Sequence, residues 1–450
     1  LKVKATRARP KIEVTADGRG IVSHAGLRLP AEVADSLGLT DALSDAMAPT
    51  RQRRSGHDPG KVLVDVALSL IDGGKALSDL AVVRNQPEIF GPVASTPTAW
   101  RTVDSIDNQV RAAISAARAK ARRAWEAGVR PGWIVMDLDA TLVTAHSEKH
   151  RAAPTFKHGF GFHPLVVYLD GTEEALSGML RPGNAGSNAA ADHIAVVDDA
   201  LAQLPVATKA KDPKNGEWML LRADSASCTH DFVAALRDRG VEFSIGFPLL
   251  AEVTEALAAI EESAWQPCIT QDCEEREGAE CTEITALLDL SSWPAGTRVI
   301  ARREDPHPGA QFSFTDLDGH CFQCFMTDST DDDIAFLEAR HRGHARVEDR
   351  IRVAKDTGLA NFPFHDFCAN AAWLELVLIA QDLTAWTKLL CLTGELAAAE
   401  PKRLRLALWH TAGRLVRTGR RLILRLSADW PWVGQLRAAF ARLRALTATA

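Results

Sequence analysis

Cysteine, tyrosine and methionine are scarce in this chain, with eight, one and five residues among 450. Eight cysteines are too few for a disulfide scaffold at this length, so free thiols are expected. No apolar run is long enough to cross a bilayer. The longest, residues 367–383, is broken by Asn370, Glu375, Gln381 and Asp382. The opening Leu-Lys-Val-Lys-Ala-Thr-Arg carries no apolar export segment, and a cytoplasmic protein with no membrane partner is expected. Global disorder is excluded as well, because 46% of the residues are hydrophobic and 24% charged.

What is present is unevenly distributed. The formal charge is -6, yet residues 401–450 hold eleven Lys and Arg against the single Asp429. Residues 1–125 read as a helical region with a basic start (Lys2, Lys4, Arg7, Arg9, Lys11) and an Arg51, Arg53, Arg54 patch before short helices, a pattern that fits a helix-turn-helix DNA-binding module and equally a plain helical scaffold. From residue 126 the pattern changes to apolar strands. Strands are expected at 133–139, 163–169 and 173–180, then a helix at 189–204, a strand at 218–223, a helix at 229–239 and a strand at 241–247. That order describes an α/β fold with a ribonuclease-H-like catalytic core whose first part is 126–255. Residues 256–331 read as an inserted β-rich domain, with strands at 284–288, 298–302, 311–315 and 320–326. Helices return over 332–400, the second part of the core. A basic, helical C-terminal region closes the chain over 401–450, its arginines interleaved with Leu and Trp as in an amphipathic helix.

Three constellations could carry chemistry. In Val135-Met-Asp-Leu-Asp-Ala-Thr141, strand alternation puts Asp137 and Asp139 on one face and Ile134, Met136 and Leu138 on the other. Two carboxylates at a strand end are costly unless they are paired or bind metal, although one could merely cap a turn. Asp224 ends a second apolar strand, where α/β folds place functional groups and where an N-cap role is equally natural. On a helix over 339–355, at about 100° per residue, His341, His344, Glu348 and Lys355 share an arc of roughly 60° with Arg352 beside them. The plainer reading of that helix is a solvated charged surface.

Together these pieces resemble the DDE transposases of bacterial insertion sequences. That family carries a strand with D-x-T (Asp139-Ala-Thr141), a second strand-end Asp (Asp224-Ser225), a β-rich insertion, and a helix bearing Glu with Lys seven residues on. One large group has the signature Y-(2)-R-(3)-E-(6)-K, and this chain reads His341-(2)-His344-(3)-Glu348-(6)-Lys355, so Glu and Lys match while Tyr and Arg are replaced by His. With Lys355-Asp-Thr-Gly, Arg181-Pro-Gly-Asn-Ala-Gly-Ser187 and Trp430-Pro-Trp432, the resemblance is closest to the insertion-sequence group numbered thirteen-eighty. It implies that Asp139, Asp224 and Glu348 are catalytic ligands of two Mg²⁺ ions, with Mn²⁺ substituting, and that Asp137 is either a supporting group or the first ligand itself. It further implies that His341, His344, Arg342, Arg346, Lys355 and Arg352 contact DNA. The expected partners are terminal inverted repeats and target DNA, bound by a homodimer in a bacterial nucleoid.

Other readings stay open at this level. A transposase-derived but catalytically silent DNA-binding protein would keep much of the same pattern. Asp137-Leu-Asp139-Ala-Thr141 also resembles the first motif of haloacid-dehalogenase-type phosphatases, with Asp137 as nucleophile. Cys321 and Cys324 with Cys268, Cys273 and Cys281 could form a zinc site, and His341, His344 and Glu348 a mononuclear metal site. Trp265, Trp293, Phe322 and Phe325 are expected to form a small core, with base stacking by one of them as the alternative. The basic tail suits DNA contact or subunit assembly.

Overall fold

A computed structural model describes residues 12–51, 56–126, 133–204, 218–306 and 319–449. The basic start, Arg53, Arg54 and the expected strand at 311–315 lie outside the described residues. After a short strand β1 (Ile21–Val22) come α1 (Arg28–Ser36), α2 (Leu39–Ala46) and α3 (Pro59–Ile71). Helix α3 starts where Asp58 accepts from the Lys61 amide and Pro59 supplies a preset first turn. All but one of its side chains are buried, so it offers no exposed face to a DNA groove. Gly60 lets it lie against α2: an added Cβ would stand 2.2 Å from the Ser44 amide nitrogen. Helices α4 (Thr96–Asp104) and α5 (Asn108–Glu126) complete this layer. Residues 22–121 share one apolar core with residues 347–443.

The sheet begins with β2 (Trp133–Ala140), β3 (Leu165–Leu169) and β4 (Ala175–Met179), an antiparallel meander. Helix α6 (Ala190–Gln203) then crosses to β5 (Trp218–Ala223), parallel to β2, and α7 (His230–Asp238) crosses to β6 (Glu242–Phe247), parallel to β5. This is the element order expected from the sequence. Met136 and Leu138 face the apolar core shared with α6 and α7, leaving Asp137 and Asp139 on the opposite face.

The segment expected as a separate β domain extends this sheet. After α8 (Ala251–Ala258) come β7 (Gln266–Ile269), β8 (Glu275–Glu283), β9 (Arg298–Glu304) and β10 (Cys321–Thr327). Strand β10 pairs antiparallel with β6 through Cys324↔Phe247 and Thr327↔Ser244, so the spatial order is β7-β8-β9-β10-β6-β5-β2-β3-β4. Where a strand was expected at 284–288 there is a helical turn, Thr285–Leu287.

Helices α9 (Ile334–Arg342), α10 (Arg346–Ala354) and α11 (Phe367–Cys391) follow. Asp366 caps α11, which is buried along nearly its whole length between the N-terminal helices and the β3–β4 end of the sheet. Within that layer Asp382 accepts from Arg118 Nε at 2.9 Å and Arg122 Nη2 at 3.0 Å, which is how two buried guanidinium groups are tolerated. None of the described helices is long and apolar enough to cross a membrane.

The C-terminal region departs from the expected helix. It forms a hairpin, β11 (Gly413–Thr418) and β12 (Arg421–Leu426), which also pairs with β1, followed by α12 (Val433–Thr449). The turn is Gly419-Arg420, with Gly419 at φ +57°, the left-handed conformation that a two-residue hairpin loop requires. Arg414, Arg417, Arg420, Arg421 and Arg425 are all exposed on it.

Candidate active site

Strands β2 and β5 run parallel with Leu138 opposite Ala223, so Asp139 and Asp224 emerge together at their carboxyl ends. Helix α10, which bears Glu348 in its first turn, packs near β2. Burial pushes the Asp139 carboxyl up to about 6; its own Ala140 amide, donating at 2.6 Å, and His344 oppose the shift, and the Asp224 and Glu348 carboxylates add to it. The Lys355 ammonium also feels Asp139, although burial lowers its own pKa. The structure thus brings Asp139, Asp224, Glu348, His344 and Lys355 into one neighbourhood.

Mutually repelling carboxylates on a partly buried face form a donor set suited to a hard divalent cation. The carboxylate oxygens of Asp139, Asp224 and Glu348 do not all lie within 4.8 Å of one another.

Asp137 has a different task. It accepts from Arg222 Nε at 2.8 Å and Nη2 at 2.7 Å and from His344 Nδ1 at 2.9 Å, and it is only 2% exposed. Both oxygens are occupied, which removes the nucleophile that the phosphatase reading needs. With Asp137 ionised against Arg222, His344 donates from Nδ1, and Nε2 is the ring atom left for other chemistry.

The helix over 339–355 is interrupted. Residues Gly343–Ala345 tighten into a 3₁₀ turn between α9 and α10. The cause is Arg222, which donates through Nη1 to the Arg340 carbonyl at 2.9 Å and passes so close beneath Gly343 that an added Cβ would stand 2.4 Å from that nitrogen. His341 is turned to the sheet rather than to the carboxylates. His341 stacks on Phe325 with centroids 4.3 Å apart and bonds Ser244 Oγ through Nδ1 at 2.9 Å. Burial, with His344 and Arg222 adding, pushes its pKa well below the ordinary value, so it is neutral.

The arginines expected on DNA are engaged within the protein. Arg342 pairs with Glu338 at 3.0 Å and with the Ile269 carbonyl. Arg346 pairs with Asp170 at 2.8 Å, and although burial opposes it, Arg346 and Arg222 hold the Asp170 carboxyl below its usual range. Arg352 bonds Glu400 at 2.8 Å and Asp349 at 3.0 Å. Lys355 begins a distorted turn ended by Gly358 at φ +102°, where a side chain would press on Leu70 and Val377, which accounts for Lys355-Asp-Thr-Gly358.

Two supporting groups escaped the sequence reading. Arg222 sits in an apolar strand two residues before Asp224; a guanidinium in a core strand demands a buried partner, and that was the available signal. His163 lies near enough to Asp224 to feel its charge and is braced by Arg181, whose Nε donates to the His163 carbonyl at 3.0 Å. Gly183 packs there against backbone, so Arg181-Pro-Gly acts as a brace beside the site. The insertion cysteines gather no third metal ligand among the described residues. Trp265 packs on Phe322, and Trp293 on His230 and Phe247, as small-core residues do.

The electrostatics give a pH dependence. Because the folded pKa of Asp139 lies above its unfolded value of about 4, its ionisation weighs against the cation-free fold. The stabilising contribution is complete below pH ~4 and is lost as the pH rises through about 6. Asp139→Asn is expected to flatten this decline in melting scans of chelator-treated protein, and a decline of unchanged steepness would contradict it.

The fold and site define a class: a mixed α/β sheet with carboxylates gathered at the ends of adjacent parallel strands, where such folds bind their ligands. The family described as Transposase DDE domain group 1 matches residues 4–448, and the chain belongs to it. It is a DDE transposase, an enzyme of DNA transposition that cleaves DNA. No curated protein matches the chain. Among solved structures, a piggyBac transposase synaptic complex with hairpin DNA is similar over 86% of this chain and 80% of that one, with 8% identity and a TM-score of 0.41.

Proposed function

We propose that this transposase cuts and joins DNA at the terminal inverted repeats of its own insertion sequence, using Asp139, Asp224 and Glu348 in a ribonuclease-H-like core. The observation that carries the reading is the emergence of Asp139 and Asp224 from adjacent parallel strand ends, with Glu348 near enough to raise the Asp139 carboxyl. These three would hold two Mg²⁺ ions, with Mn²⁺ able to substitute, and such ions supply Lewis-acid activation of an attacking oxygen and stabilise a leaving one.

The chain's own residues do the rest. Asp137, anchored by Arg222, fixes the ring of His344, whose Nε2 is the atom for a proton or a phosphate oxygen. Lys355 supplies positive charge near Asp139. Arg346 and Arg352 reach phosphate only by exchanging their carboxylate partners, whereas the exposed arginines of the β11–β12 hairpin are available to a DNA backbone. Assembly as a homodimer in the DNA complex follows from the need to hold two ends at once, and the insertion-sequence group numbered thirteen-eighty is the nearest reading of the motifs. The setting would be a bacterial cytoplasm, at the nucleoid.

The test is incubation of the protein with a duplex carrying the element's end, with Mg²⁺ or with chelator. Nicking at the element boundary that requires Mg²⁺ is expected. Specific binding without nicking would favour a silent DNA-binding protein.

A further inference from the structure

We propose that His24, Asp72 and His410 form a Zn²⁺ site that clips the two ends of the chain to the end of helix α3. The three residues come from distant parts of the sequence: the segment after β1, the C-cap of α3, and the residue that follows the helical turn Arg405–Trp409. Among the described residues they are the group of three whose ligand atoms all lie within 4.8 Å of one another. His410 Nε2 is 2.9 Å from one Asp72 oxygen and His24 Nε2 is 3.6 Å from the other. The rings meet edge to face with centroids 4.6 Å apart. Both imidazoles therefore direct the same type of nitrogen at one carboxylate, the donor set that Zn²⁺ takes with water completing a tetrahedron.

The surroundings resemble the support that a metal ligand requires. The His24 Nδ1 atom lies 2.7 Å from Ser23 Oγ and 3.4 Å from the Gln86 side-chain nitrogen, contacts that hold the ring in place. Gln86 Oε1 accepts from the Ser23 and His24 amides at 3.1 and 3.3 Å, and the Ala25 amide donates to the Thr411 carbonyl at 3.0 Å. The backbones that carry the two histidines are thus fixed to each other: at Gly26 an added Cβ would stand 1.8 Å from the Leu408 carbonyl oxygen.

One charge opposes a cation. Arg405 lies close enough to Asp72 to feel it, but its guanidinium is directed to the Ile71 and Asp356 carbonyls. The C-terminal end of α3, with its outward carbonyls, contributes the opposite sign. His410 is half-exposed, which leaves a path for the ion and for a water ligand.

The site shares no residue with the carboxylate cluster, and the two can fail separately. The experiment uses the full chain carrying Asp224→Asn and Glu348→Gln, so that ions at those carboxylates do not enter the count. Chelator-treated protein is titrated with Zn²⁺, and with Co²⁺ as a spectroscopic probe. We expect binding of about one Zn²⁺, a rise of a few degrees in Tm, and the visible absorption of tetrahedral Co²⁺. Adding His410→Gln, or separately Asp72→Asn, should remove all three while circular dichroism stays unchanged. Absence of Zn²⁺ binding, or equal stoichiometry and Tm shift with His410→Gln, would overturn the proposal.

Discussion

Asp224→Asn and Glu348→Gln are each expected to lower strand cleavage by on the order of a thousandfold while leaving binding to the element end intact. The two substitutions keep side-chain volume and remove only charge. Asp224 stands where β5 ends, with its Oδ1 accepting from the Ala226 amide at 3.1 Å, a bond that an asparagine Oδ1 can still accept. Glu348 is exposed in the first turn of α10, so its loss should not disturb packing. A structural role as a cap would predict a modest stability change and full activity. Cleavage rates measured beside binding isotherms separate the two cases, and cleavage within threefold of the parent in either variant would remove that residue from the mechanism.

Arg222→Leu is expected to produce the largest loss of stability, roughly 3–5 kcal/mol, because it strands a buried carboxylate. Arg222 is 2% exposed and serves Asp137 through two nitrogens, Asp170 at 3.0 Å and the Arg340 carbonyl. Its removal leaves Asp137 ionised against an apolar strand with only His344 as partner. The double variant Asp137→Leu with Arg222→Leu should regain much of the lost stability, since no unpaired charge remains, yet stay impaired in cleavage, because His344 has lost its anchor. Urea unfolding of the parent and the two variants tests this directly. A single variant within about 1 kcal/mol of the parent would show that the pair is not needed for the fold.

How much of this was legible in the sequence depended on the range of the forces involved. The alternation in residues 133–140 is local, and it placed Met136 and Leu138 in the core and the two aspartates opposite. The spacing from Glu348 to Lys355 likewise put both near Asp139. The break at Gly343 was not legible, because its cause, Arg222, arrives from a strand more than a hundred residues away. His341 was misplaced because its partners, Phe325 and Ser244, come from distant strands. In the tail, Leu and Arg interleave in a way compatible with either a 3.6 or a 2.0 period, and Gly419 was the local signal for a hairpin that the composition concealed. The joining of residues 266–327 to the central sheet depends on the register of β10 against β6, a long-range pairing that no single window contains. The N-terminal helices look amphipathic enough to stand alone, but the burial of α3 on all sides follows from its packing against α2 and α11.

The most direct measurement is cleavage by Asp139→Cys in Mg²⁺ and in Mn²⁺. A thiolate is a poor ligand for Mg²⁺ and a better one for a softer ion. If Asp139 holds a cation at the reacting phosphate, this variant should be inactive with Mg²⁺ and regain cleavage with Mn²⁺, while the parent works with both. Equal loss in both metals, or full activity in Mg²⁺, would contradict a metal-ligating role for Asp139 and with it the three-carboxylate account.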